Sequence, residues 1–297
     1  MMIGKRKHKN INGFTIMEMA IVLSALAILA ATTLSLLAKG AEKERAEITA
    51  FRINYVKRAI RTFVRQSNGT NPDNWALPCP AGSSLAITNV NFGLATKDLP
   101  PTGGCTSAQT TTTVTSFNPN FRIYIGTIPV HTLNIEPLYM LDGWNRRMTY
   151  AVDEDMINPG VDPSPDPGVP GQFNNNPTSA APQPIPALVP PPNPDPEFPT
   201  GTFGRILVLD TVGGDSTTGT NPSGNTEYAA AVIVSHGRNG HGAWRAKGGS
   251  TVSVSSPSTD EAENADNDNV FIFKSFTSAI GNYYDDFVVY ITKWSLL

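Results

Sequence analysis

Three groupings in the chain are of residue types that do chemistry. The first is a lone carboxylate, Glu18, the one charge in the stretch from Phe14 to Ala38. Inside a bilayer such a group costs on the order of 2.5–3.5 kcal/mol at a helix centre and less near a helix end, so it marks a functional site that needs a partner. The second is Ser235-His236 in "IVSHG", with His241 five residues beyond His236. A nucleophilic serine elbow reads Gly-x-Ser-x-Gly, and the first glycine is absent here. Histidines five apart among glycines do not share a helical metal-binding face, and His131 in "IPVHTLNI" reads as a loop or buried histidine. The third is Cys79 in "ALPCPAG" with Cys105 in "TGGC", too few for a four-cysteine zinc site. The two cysteines either stay as structural thiols or close a loop of about 26 residues, which stabilises by roughly 3 kcal/mol in the chain-entropy model. No Gly-x-x-x-x-Gly-Lys phosphate cradle occurs. The expectation is that the protein is not an enzyme.

The elements that carry these residues come next. As a helix, residues 14–38 would be about 37 Å long, enough to cross a hydrocarbon core of about 30 Å, and neither proline nor glycine interrupts them. A basic leader, residues 1–13, precedes them with Lys5, Arg6, Lys7 and Lys9. A secretory signal peptide has a similar start, but its apolar part runs only about 7–15 residues before a small-residue cleavage site. This segment is longer and continues into a helical pattern. Lys39, Lys43, Arg45 and Arg52 follow the span, so counting Lys and Arg does not orient it. Two cysteines in a chain that leaves the cytoplasm pair as a disulfide, which places the amino terminus inside and the bulk of the chain outside.

Residues 39–68 read as an amphipathic continuation. Ile48, Phe51, Tyr55, Val56, Ile60, Phe63 and Val64 recur at helical spacing, and Asn68-Gly69 supplies a stop. Arg45, Arg52, Lys57, Arg58, Arg61 and Arg65 read as the solvated side. The spacing predicts one helix of about 50 residues. Residues 69–297 then alternate turn clusters with β-branched and aromatic runs: "FRIYIGTI", "RMTYAV", "GRILVLDTV", "YAAAVIVSHG", "VFIFKSF" and "DDFVVYITKW". The expected class is α+β, with the helix packed on a mainly antiparallel sheet. Residues 158–201 are proline-rich and read as an extended surface insertion or a ligand for a proline-recognition domain. "AQTTTTVTS" reads as a loop or an edge strand. A net charge of -3 gives no electrostatic case for nucleic acid.

The basic leader, Gly13-Phe14-Thr15, Glu18 and the unbroken apolar run together resemble the amino termini of type IV pilins and type II secretion pseudopilins. The resemblance implies a pilin-like fold and a prepilin peptidase that cuts between Gly13 and Phe14 and methylates the Phe14 nitrogen. It also implies that Glu18, then the fifth residue, recruits other pilin or pseudopilin subunits into a filament at an inner-membrane assembly platform. The new amine at Phe14 would be positively charged at neutral pH, and in an assembly it could meet Glu18 of the next subunit. The implied location is the bacterial inner membrane, with a single pass and a periplasmic carboxyl-terminal domain, and later the pilus or pseudopilus. Three further stretches are similar to segments of the major pseudopilins: "DGWNRRMTYAV", with Asn145 at a usual glycine, "VIVSHGRNGHG" and "YYDDFVVY". Turns of that family hold calcium through acidic and carbonyl oxygens. Asn239, Glu263, Asp266, Asp268, Asp285 and Asp286 are the candidate hard oxygen donors here. The competing reading is a membrane-tethered periplasmic binding or enzymatic domain that never polymerises.

Overall fold

A computed structural model describes residues 15–67, 76–97, 104–108, 110–114, 121–157, 206–214, 228–254, 258–279 and 281–292. The leader with Gly13 and Phe14, and the proline-rich stretch 158–201, lie outside the described residues. The chain divides into two compact units, Met1–Glu44 and Arg45–Leu297. A single helix, α1 (Ile16–Ser67, 52 residues), supplies almost all that is described of the first unit and opens the second.

From Ile16 to Ala38 α1 is apolar all round apart from Glu18, and its most apolar window buries nothing within the protein. Ile16 is 91% exposed and Leu36 73%. The stretch is long and apolar enough to cross a membrane. Its polar side chains suit that surface. Ser24 donates to the Ala20 carbonyl at 2.7 Å and Thr33 to Leu29 at 2.8 Å, while Thr32 donates to both Ile28 and Leu29. Each of these three hydroxyls is satisfied inside the helix and needs no water.

From Arg45 onward the same helix has one buried stripe: Thr49, Ile53, Val56, Ile60 and Val64, at spacings of four, three, four and four. This corrects the sequence pattern. Phe51 is exposed, Ile48, Tyr55 and Phe63 are half-buried, and Ile53 is at the centre of the stripe. The basic side is likewise more than a solvated face. Arg52 donates to the carbonyls of Leu141 at 3.0 Å and Asp142 at 2.8 Å, and Lys57 reaches the Tyr290 carbonyl. Lys57 is half-buried; desolvation, followed by the Arg61 charge, holds its amine below the usual lysine range.

The strands are β1 (Thr110–Val114), β2 (Phe121–Thr127), β3 (Arg146–Arg147), β4 (Thr149–Asp153), β5 (Leu207–Leu209), β6 (Ala231–Ser235), β7 (Trp244–Arg245), β8 (Val270–Ile272) and β9 (Phe287–Ile291). Five form one antiparallel sheet in the order β1-β2-β4-β6-β9. Within "AQTTTTVTS", Thr110–Val114 is therefore an edge strand. β5 and β8 pair in parallel apart from that sheet, and β3 pairs with β7.

Strand alternation sorts the sheet into two faces. Tyr124, Tyr150, Val152, Ile233 and Ile291 join the α1 stripe in one core. Ile123, Ile125, Ala151, Val232, Val234 and Val288 join Ile206, Val208 and Phe271 in a second core, on the other face. Both faces are covered, which is why β6 reads as an unbroken apolar run, AVIVS, rather than an alternating one. Full burial of a side chain such as Ile53 or Ile60 stabilises by about 1.5–3 kcal/mol. Cys79 and Cys105 are joined by a disulfide. Arg147 is fully buried and donates to the carbonyls of Ser83, Leu85 and Ala246, which ties the disulfide-closed loop to the turn after β7.

Candidate functional site

At the amino end of α1, Glu18 completes a capping box. Thr15 Oγ1 accepts from the Glu18 amide at 3.2 Å, while Glu18 Oε2 accepts from the Thr15 amide at 2.8 Å and from its hydroxyl at 2.9 Å. The Thr15 carbonyl takes the first helical bond, from the Met19 amide. The signal was in the sequence as Thr-x-x-Glu, a pattern that satisfies two amides of an incipient helix reciprocally. A carboxylate in the first turn also complements the helix dipole.

A second constellation lies in the other unit, where three stretches distant in sequence are stitched together. Asp142 is the hub of the first. Its Oδ1 accepts the amides of Trp144 and Arg146, both at 2.9 Å, and its Oδ2 accepts the Ser235 hydroxyl at 2.9 Å. Burial raises the Asp142 carboxyl above its ordinary range, and these donors oppose that rise. Asn145 occupies the left-handed region at φ 62°, a conformation that glycine or asparagine tolerates best. Arg146 then donates to the carbonyls of Gly237 and Arg238 in the turn after β6. Asp285, just before β9, accepts the amides of Arg238 and Asn239. Gly237 sits at φ 49°, and a Cβ there would fall on the Asp285 carboxylate, so the turn needs glycine.

The acidic residues singled out from the sequence separate into two groups. Asn239, Asp285 and Asp286 come together, and Glu263, Asp266 and Asp268 form a cluster of their own. Glu261, which sequence reading missed, joins the first group from α2 (Thr259–Glu263). The carboxylate oxygens of Glu261, Asp285 and Asp286 lie within 4.8 Å of one another. Glu261 Oε1 accepts the Asp285 amide at 2.9 Å, and its Oε2 accepts the Asn239 side-chain amide. Asp285 Oδ2 accepts the Tyr283 hydroxyl as well. Burial, with the Asp285 charge adding to it, pushes the Glu261 carboxyl up to about 7. Burial likewise raises Asp286 well above its ordinary range, with the charges of Glu261 and Asp285 adding to it. Two buried oxygens, Asp285 Oδ1 and Asp286 Oδ1, have no hydrogen-bond partner among the described residues. A buried oxygen with no donor is costly, and a hard divalent cation satisfies several at once while offsetting their mutual repulsion. The residues present thus fit a calcium ion, held by Glu261, Asp285 and Asp286 with Asn239 beside them.

The outer cluster differs. Asp266 is exposed, Glu263 and Asp268 are half-buried, and Asp266 and Asp268 accept the amides of Asp268 and Val270 respectively. Burial first and mutual repulsion second raise Asp266 to about 6. No orphaned oxygen marks this cluster among the described residues.

The histidines and serine go elsewhere. Ser235 bonds Asp142, whereas His236 Nε2 meets Thr149 Oγ1 at 3.0 Å, so the neighbouring pair serves two separate partners. His236 is buried, and desolvation drives its imidazole down to about 3. His241 Nδ1 faces the Val254 carbonyl at 2.8 Å, and His131 is an exposed loop residue edge-on to Phe92. No protein-family model, curated protein or solved structure matches the chain.

Proposed function

We propose that this protein is a structural subunit of a type IV pilus-like or type II secretion pseudopilus filament. The observation that carries the reading is the split character of α1. One part is apolar on every side and uncovered within the chain, with a single carboxylate in its first turn. The other part is fastened along one stripe to an antiparallel sheet. Before assembly the apolar part would anchor the chain in the inner membrane, and afterwards it would bundle with its counterparts in the filament core. A disulfide in the second unit supports placing that unit in an oxidising compartment outside the cytoplasm.

The convergence of Asp142–Tyr150, Ser235–Gly242 and the Asp285 region on one locus supports a pilin-like domain, because those are the stretches that resemble pseudopilin segments. A left-handed Asn145, where that family has glycine, agrees with the same reading. In that domain, calcium at Glu261, Asp285 and Asp286 would have a structural part, cross-linking the turn after β6 to the start of β9.

Mass spectrometry of the mature amino terminus tests the filament reading. We expect a chain that begins with N-methylated Phe14, the leader having been removed after Gly13 by a prepilin peptidase. A retained leader, or cleavage near Ala38, sinks it and favours a tethered or secreted domain. In cells, Glu18→Gln should abolish incorporation into filaments while leaving the membrane-inserted subunit abundant.

A further inference from the structure

The cation site is assembled from more of the chain than its three neighbouring family-like stretches. Glu261 belongs to α2, a helix set between β7 and β8 and capped by Ser258, whose hydroxyl accepts from the Glu261 amide at 3.3 Å. Ser258-x-x-Glu261 is a capping-box spacing, yet the glutamate carboxylate goes to Asn239 and the Asp285 amide. It is fully buried there, against two other carboxylates, in an arrangement that repels itself when all three are ionised and no cation is bound. Helix capping alone does not require such a position.

Asn264, one turn further on and also buried, fixes the orientation of Asp286. Its Nδ2 donates to Asp286 Oδ2 at 2.9 Å, which leaves Oδ1 as the orphan. The amide cannot turn to satisfy both oxygens. Asn264 Oδ1 accepts the Ile272 amide at 2.7 Å, and Nδ2 also reaches the Ile272 carbonyl and the Tyr284 hydroxyl. Asp286 itself is 2% exposed, so water does not reach the free oxygen from bulk.

We propose that the segment from α2 to β8 is a wall of the cation site, with Glu261 a direct calcium ligand and Asn264 the residue that positions Asp286. The inference rests on the calcium reading of the Asp285–Asp286 locus and adds a consequence to it. Calcium then fastens α2 and β8 to β9 and to the turn after β6, so residues 258–272 gain order when the ion binds. The ion pair of Lys274 with Asp260 is a second, cation-independent tie for the same segment.

The test uses the full-length protein in detergent, stripped with chelator and titrated with calcium chloride by calorimetry. Hydrogen exchange of residues 258–272 is followed in parallel. The wild type should bind one calcium and protect that segment. Glu261→Gln, which keeps the shape and removes the charge, should weaken calcium at least about tenfold and abolish the added protection. Asn264→Leu should weaken it on the order of 10–100-fold, measured where the cation-free variant is fully folded. A merely structural role would lower the melting temperature of the cation-free form and leave calcium affinity unchanged. Glu263→Gln, in the outer cluster, should bind as the wild type does. If the wild type binds no calcium, the cation reading and this inference both fall. If it binds calcium and Glu261→Gln binds equally well, α2 is no part of the site although the Asp285–Asp286 reading survives. Loss of binding in Glu263→Gln instead moves the ion to the outer cluster and overturns the proposal.

Discussion

The two parts of α1 share a backbone conformation and almost nothing else. From Ile16 to Ala38, apolar side chains point in every direction and the protein covers none of the most apolar window. From Arg45 to Ser67, five residues at helical spacing are buried and the rest of the circumference is charged, polar or half-exposed. A helix that is apolar all round is a buried or membrane-spanning one, whereas a single stripe marks a helix with one packed face. The second part finds its cover in the sheet of its own chain, whereas the first is long and apolar enough to cross a membrane and is left uncovered by the described residues.

The largest effect that tests this division is on domain stability. Ile60→Ala removes a side chain from the core that joins α1 to Tyr124, Tyr150 and Ile233, and should cost about 2–5 kcal/mol. Leu26→Ala makes an equally large deletion in the first part and should leave the unfolding of the second unit within about 0.5 kcal/mol of wild type. Denaturant unfolding in detergent, read by tryptophan fluorescence, measures both. Equal losses would break the comparison.

A smaller effect separates the basic residues of the packed part from one another. Arg52 makes charge-assisted bonds to the Leu141 and Asp142 carbonyls, so Arg52→Met should cost about 1.5–3 kcal/mol. Arg58 is exposed, with its guanidinium 6.0 Å from the Tyr55 ring, and Arg58→Met should stay within about 0.5 kcal/mol. The same unfolding curves decide it. If Arg58 proves as costly as Arg52, the basic side of the helix is a packed face throughout.

These contrasts also mark how far sequence reading reached. The apolar run, the existence of one long helix and all six proposed strands were legible, because each is a periodicity or composition sustained over many residues. The phase of the amphipathic stripe was not. Phe51 and Ile53 both continue a spacing of three or four, and only the sheet decides which of them it covers. The six proposed strands do not reveal that β5 and β8 leave the main sheet to pair in parallel, since that depends on which face needed covering. In the candidate cation site, Asp285, Asp286 and Asn239 could be named from residue type. Glu261 could not, because its local Ser-x-x-Glu pattern already has an adequate explanation as a cap. Nor could residue type show that Glu263, Asp266 and Asp268 gather apart from Asp285 and Asp286. Closeness in composition does not survive the turn into β8, which leaves those three in a half-exposed cluster of their own.

The smallest predicted effect on stability lies at the amino end of the uncovered part, in the cap formed by Thr15 and Glu18. In the single chain the Glu18 carboxylate caps the helix through Thr15, and Thr15→Ala should destabilise the first turn by about 0.5–2 kcal/mol. Faster hydrogen exchange at the amides of Glu18 and Met19 would report it, with Thr15→Ser restoring protection. The cap uses only one of the two carboxylate oxygens, because Glu18 Oε2 takes both Thr15 donors, and Oε1 is left for the proposed intersubunit pair. On assembly, an amine from a neighbouring subunit would meet Glu18 with the Thr15 cap still in place. Thr15→Ala should then leave filament incorporation intact, whereas Glu18→Gln keeps part of the cap and loses the charge pair. Equal loss of incorporation in the two variants would mean that Glu18 acts through the helix end alone, and the charge pairing would have to be abandoned.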